Sequence, residues 1–457
     1  MILLLSKIRF YCSCYLFSIW MFLTILMSGI LHGKKEPLPA NNPGIDGLLQ
    51  NKDELNNTRD FKGWELHVLR EIALKNSPEI LVKKAELDSY SKTIRVLEGQ
   101  YFPNLKARFG FTDYNKIAQF ETYSEPEPYG VYDYGLDAKW ILYNGYKTRK
   151  QIETAKLEII RAEKALHLKE QVVLRNLTGR YFEILNANLE LRVLPIIEEY
   201  RKKRKEIYEK QAAAGLVNKM FTSIVTKEIE AVQIKRMHLE ASVDIAKSEI
   251  AFLLNLDEEF WTKSNIFLVP DELLRTNYIN PEESTMAELG EVEIQIARSK
   301  MEEIRTEKSP TVELFGNTGY RERNSIEMNR QGHELTVGVK IEIPLFDYFL
   351  TERKLEKASK EIIRSKTEQV NLINQYRSQK LAEQKRLTLA QKNSDYHKEL
   401  LKLQLKRVDD TKRVVAQGVS DLTSVFQEEE ELANRKMLVE QSELNALKHQ
   451  YLLDLIH

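Results

Sequence analysis

The stretch ILYNGYKTRK, Ile141–Lys150, begins as an alternating apolar segment and ends as a charged run with helical spacing. A second stretch, IPLFDYFLTER at Ile343–Arg353, makes the same switch. The two share one register. Gly135 and Gly338 are 203 residues apart, and so are Tyr143 and Phe346, Asn144 and Asp347, and Gly215 and Gly418. A common offset marks an internal repeat, which sets the unit of the fold and is read first. Each half reads helix, strand, loop, strand, long helix, tight turn, helix.

Upstream of each junction the period is two. Leu105, Ala107, Phe109 and Phe111 alternate with Lys106, Arg108 and Gly110. Tyr132, Tyr134, Leu136, Ala138, Trp140 and Leu142 alternate with Asp133, Gly135, Asp137 and Lys139. In the second half Val312 and Leu314 flank Glu313, with Phe315 weakening the pattern. Leu335, Val337, Val339, Ile341 and Ile343 then alternate with Glu334, Thr336, Gly338, Lys340 and Glu342. This is the signature of strands with one apolar and one wet face. Each is roughly the ~9–11 residues that a tilted strand needs to cross a bilayer. Tyr132, Tyr134, Trp140 and Tyr143 suit an aromatic girdle at the membrane interface. Four strands close no useful pore, and open sheet edges are not tolerated in lipid. Other copies must therefore pair the edges, and three chains would complete a barrel of about twelve strands. A soluble sheet on a helical stalk is the alternative that alternation leaves open.

Downstream the period is helical. Ile152, Ala155, Ile159, Ala162 and Leu166 follow the 3-4 spacing of a coiled-coil seam. The pattern runs to Ala214 and meets Gly215. Such a helix spans about 100 Å at ~1.5 Å per residue. Pro195 lies inside it and is expected to kink or break it. Ile229, Val232, Arg236, Leu239, Val243, Ala246, Ile250 and Leu253 resume the spacing, so Gly215 is the tip of an antiparallel hairpin. Gly418 is the matching tip, after a run from Leu345 to Gln417 without Gly or Pro. A helix this long has no globular core and must pack beside others; an ordinary coiled-coil rod satisfies the same spacing.

The chain has 457 residues, with 68 basic and 68 acidic side chains. A net charge of zero argues against a nucleic-acid partner. Charged residues at 30%, with only 12 Pro and 18 Gly, suit long solvated helices. Lys7 and Arg9 precede an uncharged run, Phe10 to Ile30, which reads as a secretory signal peptide. At 21 residues the run could also serve as an uncleaved anchor. Cys12 and Cys14 lie within it, without the small-residue pattern of a lipoprotein cleavage site. A mature chain would therefore hold no cysteine and no disulfide. The organisation expected is a signal peptide over 1–33 and a flexible linker over 34–62. The first repeat follows over 63–255, with a β-hairpin near 101–143. A connector over 256–285 leads to the second repeat over 286–457, with a β-hairpin near 310–345. Pro78 is placed for the first turn of a helix ending near Glu98.

From about Trp64 to Ile456 the sequence resembles the TolC-type outer membrane efflux proteins. The residues that carry the likeness are LREIALKNSPEILVKKAEL, EGQYFPNLKARFGF, WILYNGYKTR with IPLFDYFLTER, and the tips AAAGLVN and VAQGVSD. The resemblance implies a mainly α fold with a small β part, in a homotrimer. Long helical hairpins would form a periplasmic α-barrel. Four transmembrane strands per chain would complete a 12-strand β-barrel, with outer membrane lipid around it. It implies a passive exit duct for efflux or type I secretion, partnered by a periplasmic adaptor and an inner-membrane transporter. Adaptor docking would fall on Gly215, Leu216, Val217, Gly418, Val419 and Ser420. Where well-studied members carry gate carboxylates this chain has Ser424 and Gln427, and Ser420 replaces the basic latch residue. Glu428 and Glu431 lie one turn on, and could form an acidic lumen ring; the run Glu428–Glu431 could equally be a solvated helix face.

The eight His are scattered without ligand spacing. There is no phosphate loop, nucleophile elbow or His-Glu metal motif, so neither a cofactor, a metal site nor a catalytic role is expected. The competing readings are a coiled-coil tether or adhesin anchored by its N-terminus, and a periplasmic adaptor. Adaptors carry one hairpin with lipoyl-like β-domains, whereas this chain repeats its hairpin with strand pairs.

Overall fold

The computed structural model describes residues 65–114, 129–256, 284–323, 333–418 and 421–456. The expected signal peptide, linker and most of the connector lie outside them. The chain divides into a strand-bearing unit and a helical unit.

In the helical unit, α1 (Leu66–Asn76) and α2 (Pro78–Glu98) are separated at buried Ser77, with Pro78 opening α2 as its spacing predicts. The long helix α3 (Lys147–Ala213) turns into α4 (Lys219–Leu254). The second repeat supplies α5 (Thr285–Arg305), α6 (Leu350–Ala416) and α7 (Leu422–Asp454). Both α3 and α6 have 67 residues, and their starts and ends keep the 203-residue offset. Pro195 does not break α3, which continues through it. One missing N–H donor costs less than unseating a helix held along its length by neighbours. Leu194 and Ile197, on either side of it, are buried against Val232 of α4.

Cross-helix pairs give the order of the layer. Arg236 of α4 reaches Glu198 of α3 at 3.0 Å. Arg201 of α3 reaches Glu430 of α7 at 2.6 Å. Lys398 of α6 reaches Glu443 of α7 at 2.8 Å. Along the stretch that these pairs span, the order is α4, α3, α7, α6. Further along α3, Thr154 meets Ser299 of α5 at 2.7 Å and Lys169 pairs with Glu79 of α2 at 2.8 Å. Gly290 of α5 permits close passage by α6, since a Cβ there would stand 2.9 Å from the Gln369 Cα.

The largest apolar core gathers Leu69 and Ile72 of α1, Leu177 and Phe182 of α3, Ile250 and Leu254 of α4, and Tyr451 of α7. Burying each such side chain contributes about 1.5–3 kcal/mol. Beside it Asp454 is buried, and neither carboxylate oxygen has a hydrogen-bond partner. The nearby Arg70 guanidinium covers the Tyr451 ring at 5.0 Å and donates to Thr178 Oγ1 at 3.2 Å. Burial pushes the Asp454 carboxyl up, and Arg70 only partly offsets it. A carboxyl raised in the fold is stabilising below its ordinary pKa and loses that contribution as pH rises through the folded value. Asp454→Asn is therefore expected to flatten the decline in stability as pH rises from ~4. Denaturation midpoints of both proteins across that range check it; parallel curves would contradict the assignment.

In the strand-bearing unit, β1 (Asn104–Tyr114), β2 (Tyr129–Tyr143), β3 (Thr311–Arg323) and β4 (His333–Glu342) form one antiparallel sheet in chain order. A 3₁₀ turn precedes each hairpin, at Gly99–Tyr101 and Thr306–Lys308. The strand that Phe315 was expected to weaken runs for 13 residues. Phe315 lies over Gly338, its ring 2.7 Å from where a Cβ would stand, so the ring fills the space left by the missing side chain.

Candidate functional site

The sheet keeps one side apolar across all four strands. Opposite residues share a face, and the rows read Leu105–Ala138–Gly316–Val337 and Ala107–Leu136–Thr318–Leu335. Val337, Val339 and Ile341 are all more than half exposed. At the loop end, Phe109, Tyr134, Tyr320 and His333 form a row of rings with centroids 6.2, 5.6 and 5.0 Å apart. Tyr132 packs on Phe111 at 4.8 Å. At the other end Trp140 donates its indole N–H to the Tyr101 carbonyl at 2.8 Å. Strict alternation puts Leu142 with Trp140 and turns Tyr143 away. A register shift between Ile141 and Tyr143 instead pairs Tyr143 with Val312 of the apolar face. Tyr132 and Trp140 are thus eight residues apart on one strand, about 26 Å at ~3.3 Å per residue. That is the scale of the ~25 Å apolar band of membrane barrels.

The opposite face is polar and internally paired. Arg108 bonds Asp137 at 2.9 Å and Asp133 at 3.2 Å, and Arg321 reaches Asp133 at 3.5 Å. Lys139 pairs with Glu313, and Lys340 with Glu342, each at 2.5 Å. Each outer strand has one neighbour among the described residues, so the outer edges of β1 and β4 carry no ladder.

At the junctions the left-handed residues are Gly145 with Tyr146 and, 203 residues later, Tyr348 with Phe349. A Cβ on Gly145 would stand 2.1 Å from the Ser309 Cβ, whereas Gly215 has open space around it. Gly215→Ala is expected to cost about 1 kcal/mol, the left-handed penalty alone. Gly145→Ala must also displace Ser309, so its midpoint in a thermal melt should fall further; equal shifts would contradict the close approach.

In the helical unit, the first tip ends α3 with paired bonds from Gly215 N–H to the Ala212 carbonyl at 3.1 Å and from Leu216 N–H to the Gln211 carbonyl at 2.9 Å. Such a Schellman turn needs its left-handed residue, here Gly215 at φ +71°. Asn218 then caps α4, accepting from the Met220 N–H at 2.9 Å. Leu216 and Met220 are exposed, and Val217 is half-buried. Gly418 shows the same φ of +71°; Val419 and Ser420 lie outside the described residues. Gln211 joins the two tips, donating to Asp421 Oδ2 at 2.7 Å. That bond and one from Thr423 overcome the opposing effect of burial and hold the Asp421 carboxyl below its ordinary range. Ser424 Oγ donates to the Asp421 carbonyl at 2.5 Å, and Gln427 is exposed.

The glutamate run makes ion pairs within the chain. Glu428 accepts from Gln404 at 2.8 Å and pairs with Arg407 at 2.9 Å. Glu429 pairs with Lys412 at 2.8 Å, and Glu431 with Arg435 at 2.7 Å. Glu430 is buried, holds Arg201 at 2.6 Å and lies 3.7 Å from Arg204, which also bonds Glu228 of α4. Glu428 and Glu431 thus carry compensated charges. In sequence, Arg201 and Arg204 lie among other basic residues in the run YRKKRKEIYEK, and only their i, i+3 spacing sets them on one face.

Among the described residues no group of His, Cys, Asp and Glu could hold a metal ion, and no helix is long and apolar enough to cross a membrane. Residues 69–256 match the sequence model of a family described as outer membrane efflux protein. That match marks residues 69–256 as similar to this family over well under half of the chain. The chain is an outer membrane protein with periplasmic helices. No curated protein sequence matches it. Among solved structures, the chain is similar to VceC of Vibrio cholerae at 17% identity and a TM-score of 0.70, covering 86% of this chain and 95% of that one. It is also similar to the CmeC outer membrane channel of Campylobacter jejuni, at 13% identity and a TM-score of 0.68, covering 86% and 84%. The open-state MtrE outer membrane channel of Neisseria gonorrhoeae gives 14% and 0.68, covering 86% and 88%. These likenesses establish the fold.

Proposed function

We propose that this protein is a passive exit duct that assembles as a homotrimer and serves a tripartite efflux pump or a type I secretion system. The observation that carries the reading is the four-stranded sheet, with an apolar face bounded by aromatic rows, a charge-paired polar face and two edges that no strand pairs among the described residues. Lipid would cover the first face and water the second, and further copies would pair the edges. The helical layer supports the same assembly. Its end helices expose apolar stripes, Ile234, Met237, Ile245 and Phe252 on α4, and Val370, Leu389, Tyr396 and Leu403 on α6. Stripes at opposite ends of one layer suit neighbouring copies. A periplasmic adaptor would dock at the tips around Gly215 and Gly418, and an inner-membrane transporter would supply the energy. The duct itself performs no catalysis.

The purified protein in planar bilayers should conduct, and unboiled samples from outer membranes should run as heat-modifiable trimers. A monomeric, non-conducting product would instead favour a coiled-coil tether.

A further inference from the structure

The internal repeat lets a single chain forecast the seam between two copies. A shift of 203 residues carries Gly145 onto Tyr348, and both are left-handed, at φ +66° and +52°. Within the chain, Gly145 lies against the segment that leads into β3, the strand beside β2. A Cβ there would come within 2.1 Å of the Ser309 Cβ and 3.2 Å of the Thr306 carbonyl. Tyr348 follows β4, whose outer edge has no strand beside it among the described residues. Its side chain is 74% exposed, and Phe346 beside it is 76% exposed.

If the β1 of another copy completes that edge, the segment leading into it takes the place that Thr306–Ser309 has within the chain. That segment is the 3₁₀ turn Gly99–Tyr101 followed by Phe102, the counterpart of the turn Thr306–Lys308 followed by Ser309. Tyr101 and Phe102 are about half exposed at the opposite edge of the sheet. The Gly145 spacing cannot be repeated there, because Tyr348 has a Cβ and a ring where Gly145 has neither.

We infer that the seam between copies differs from the seam within a chain: it is wider at this junction and is filled by Tyr348 of one copy packed against Tyr101 and Phe102 of the next. The inference rests on the trimer reading and adds its packing. A bulky residue in the left-handed region is strained, and burial of its aromatic side chain offsets that strain only when a neighbouring copy is present. The intrachain seam needs a glycine to close; the interchain seam needs aromatic side chains that the isolated chain leaves in solvent.

The test uses the full chain in outer membranes, with Cys12 and Cys14 changed to Ser and the pair Tyr348→Cys and Phe102→Cys introduced. Oxidation should yield covalent dimers and trimers on boiled, non-reducing gels, collapsing to monomer with reductant. Each single variant, and the pair Tyr348→Cys with Tyr146→Cys, should stay monomeric. Tyr348→Gly should leave the helical content unchanged and lower the temperature at which unboiled trimers dissociate. Trimers that persist on unboiled gels while the Tyr348–Phe102 pair fails to cross-link would overturn the seam and leave the trimer standing. Wild-type protein without trimers on unboiled gels would overturn both.

Discussion

Val337→Arg is expected to keep this protein from assembling in the outer membrane, while Thr336→Arg next to it is tolerated. Val337 stands mid-strand in β4, opposite Gly316 on the apolar face, and is more than half exposed. Thr336 stands opposite Asn317 on the polar face. Arginine facing lipid at the bilayer midplane costs about 2–4 kcal/mol, and on a wet lumen face almost nothing. In a symmetric assembly every copy carries the penalty, which is large against the ~5–15 kcal/mol that holds a typical fold together. The readout is the fraction of protein recovered as heat-modifiable species from outer membranes. Equal recovery of the two variants would contradict the assignment of faces.

The second large effect is expected at Glu430. This carboxylate is buried on α7 and holds Arg201 of α3 at 2.6 Å. Arg204 is buried too, lies 3.7 Å from Glu430 and bonds Glu228 of α4. Arg201 also donates to the Glu228 carbonyl at 2.7 Å. The four groups therefore join three helices. Glu430→Ala leaves two guanidinium groups with fewer acceptors in a buried setting, and removing one partner of such a cluster costs about 3–5 kcal/mol. Glu430→Ala with Arg201→Ala should cost less than the sum of the single changes, because the second removes a charge that the first has stranded. Unfolding followed by the helical signal gives all three values. Strict additivity would mean that Glu430 and Arg201 do not depend on each other.

Much of this was readable from residue order, and the reasons are local. Period-two alternation at Leu335–Ile343 names the apolar face because side chains in a strand must alternate. Gly215 and Gly418 mark the tips because a left-handed C-terminal turn favours the residue without a Cβ. The equal lengths of α3 and α6 follow from the offset that the two junctions share. Other features are decided beyond local rules. Pro195 lowers helix propensity at its own position, but contacts with other helices hold α3 through it. Nothing in the sequence shows the register shift that brings Tyr143 round to the face of Trp140, since a bulge is defined only against a partner strand. Glu428 to Glu431 looked like one patch, yet their charges are divided among cations from α3, α6 and α7 itself.

The division has a physical basis. By itself, the sequence of this protein determined periodicity, breakers and repeat: which segments are strand or helix, where the hairpins turn, and that the unit occurs twice. Each of these depends on neighbours a few residues away. Only the tertiary structure decided which charges are neutralised, which glycine is a close approach rather than a turn, and which edges stand open. Those properties belong to pairs of residues such as Arg201 with Glu430 or Gly145 with Ser309, brought together from distant parts of the chain.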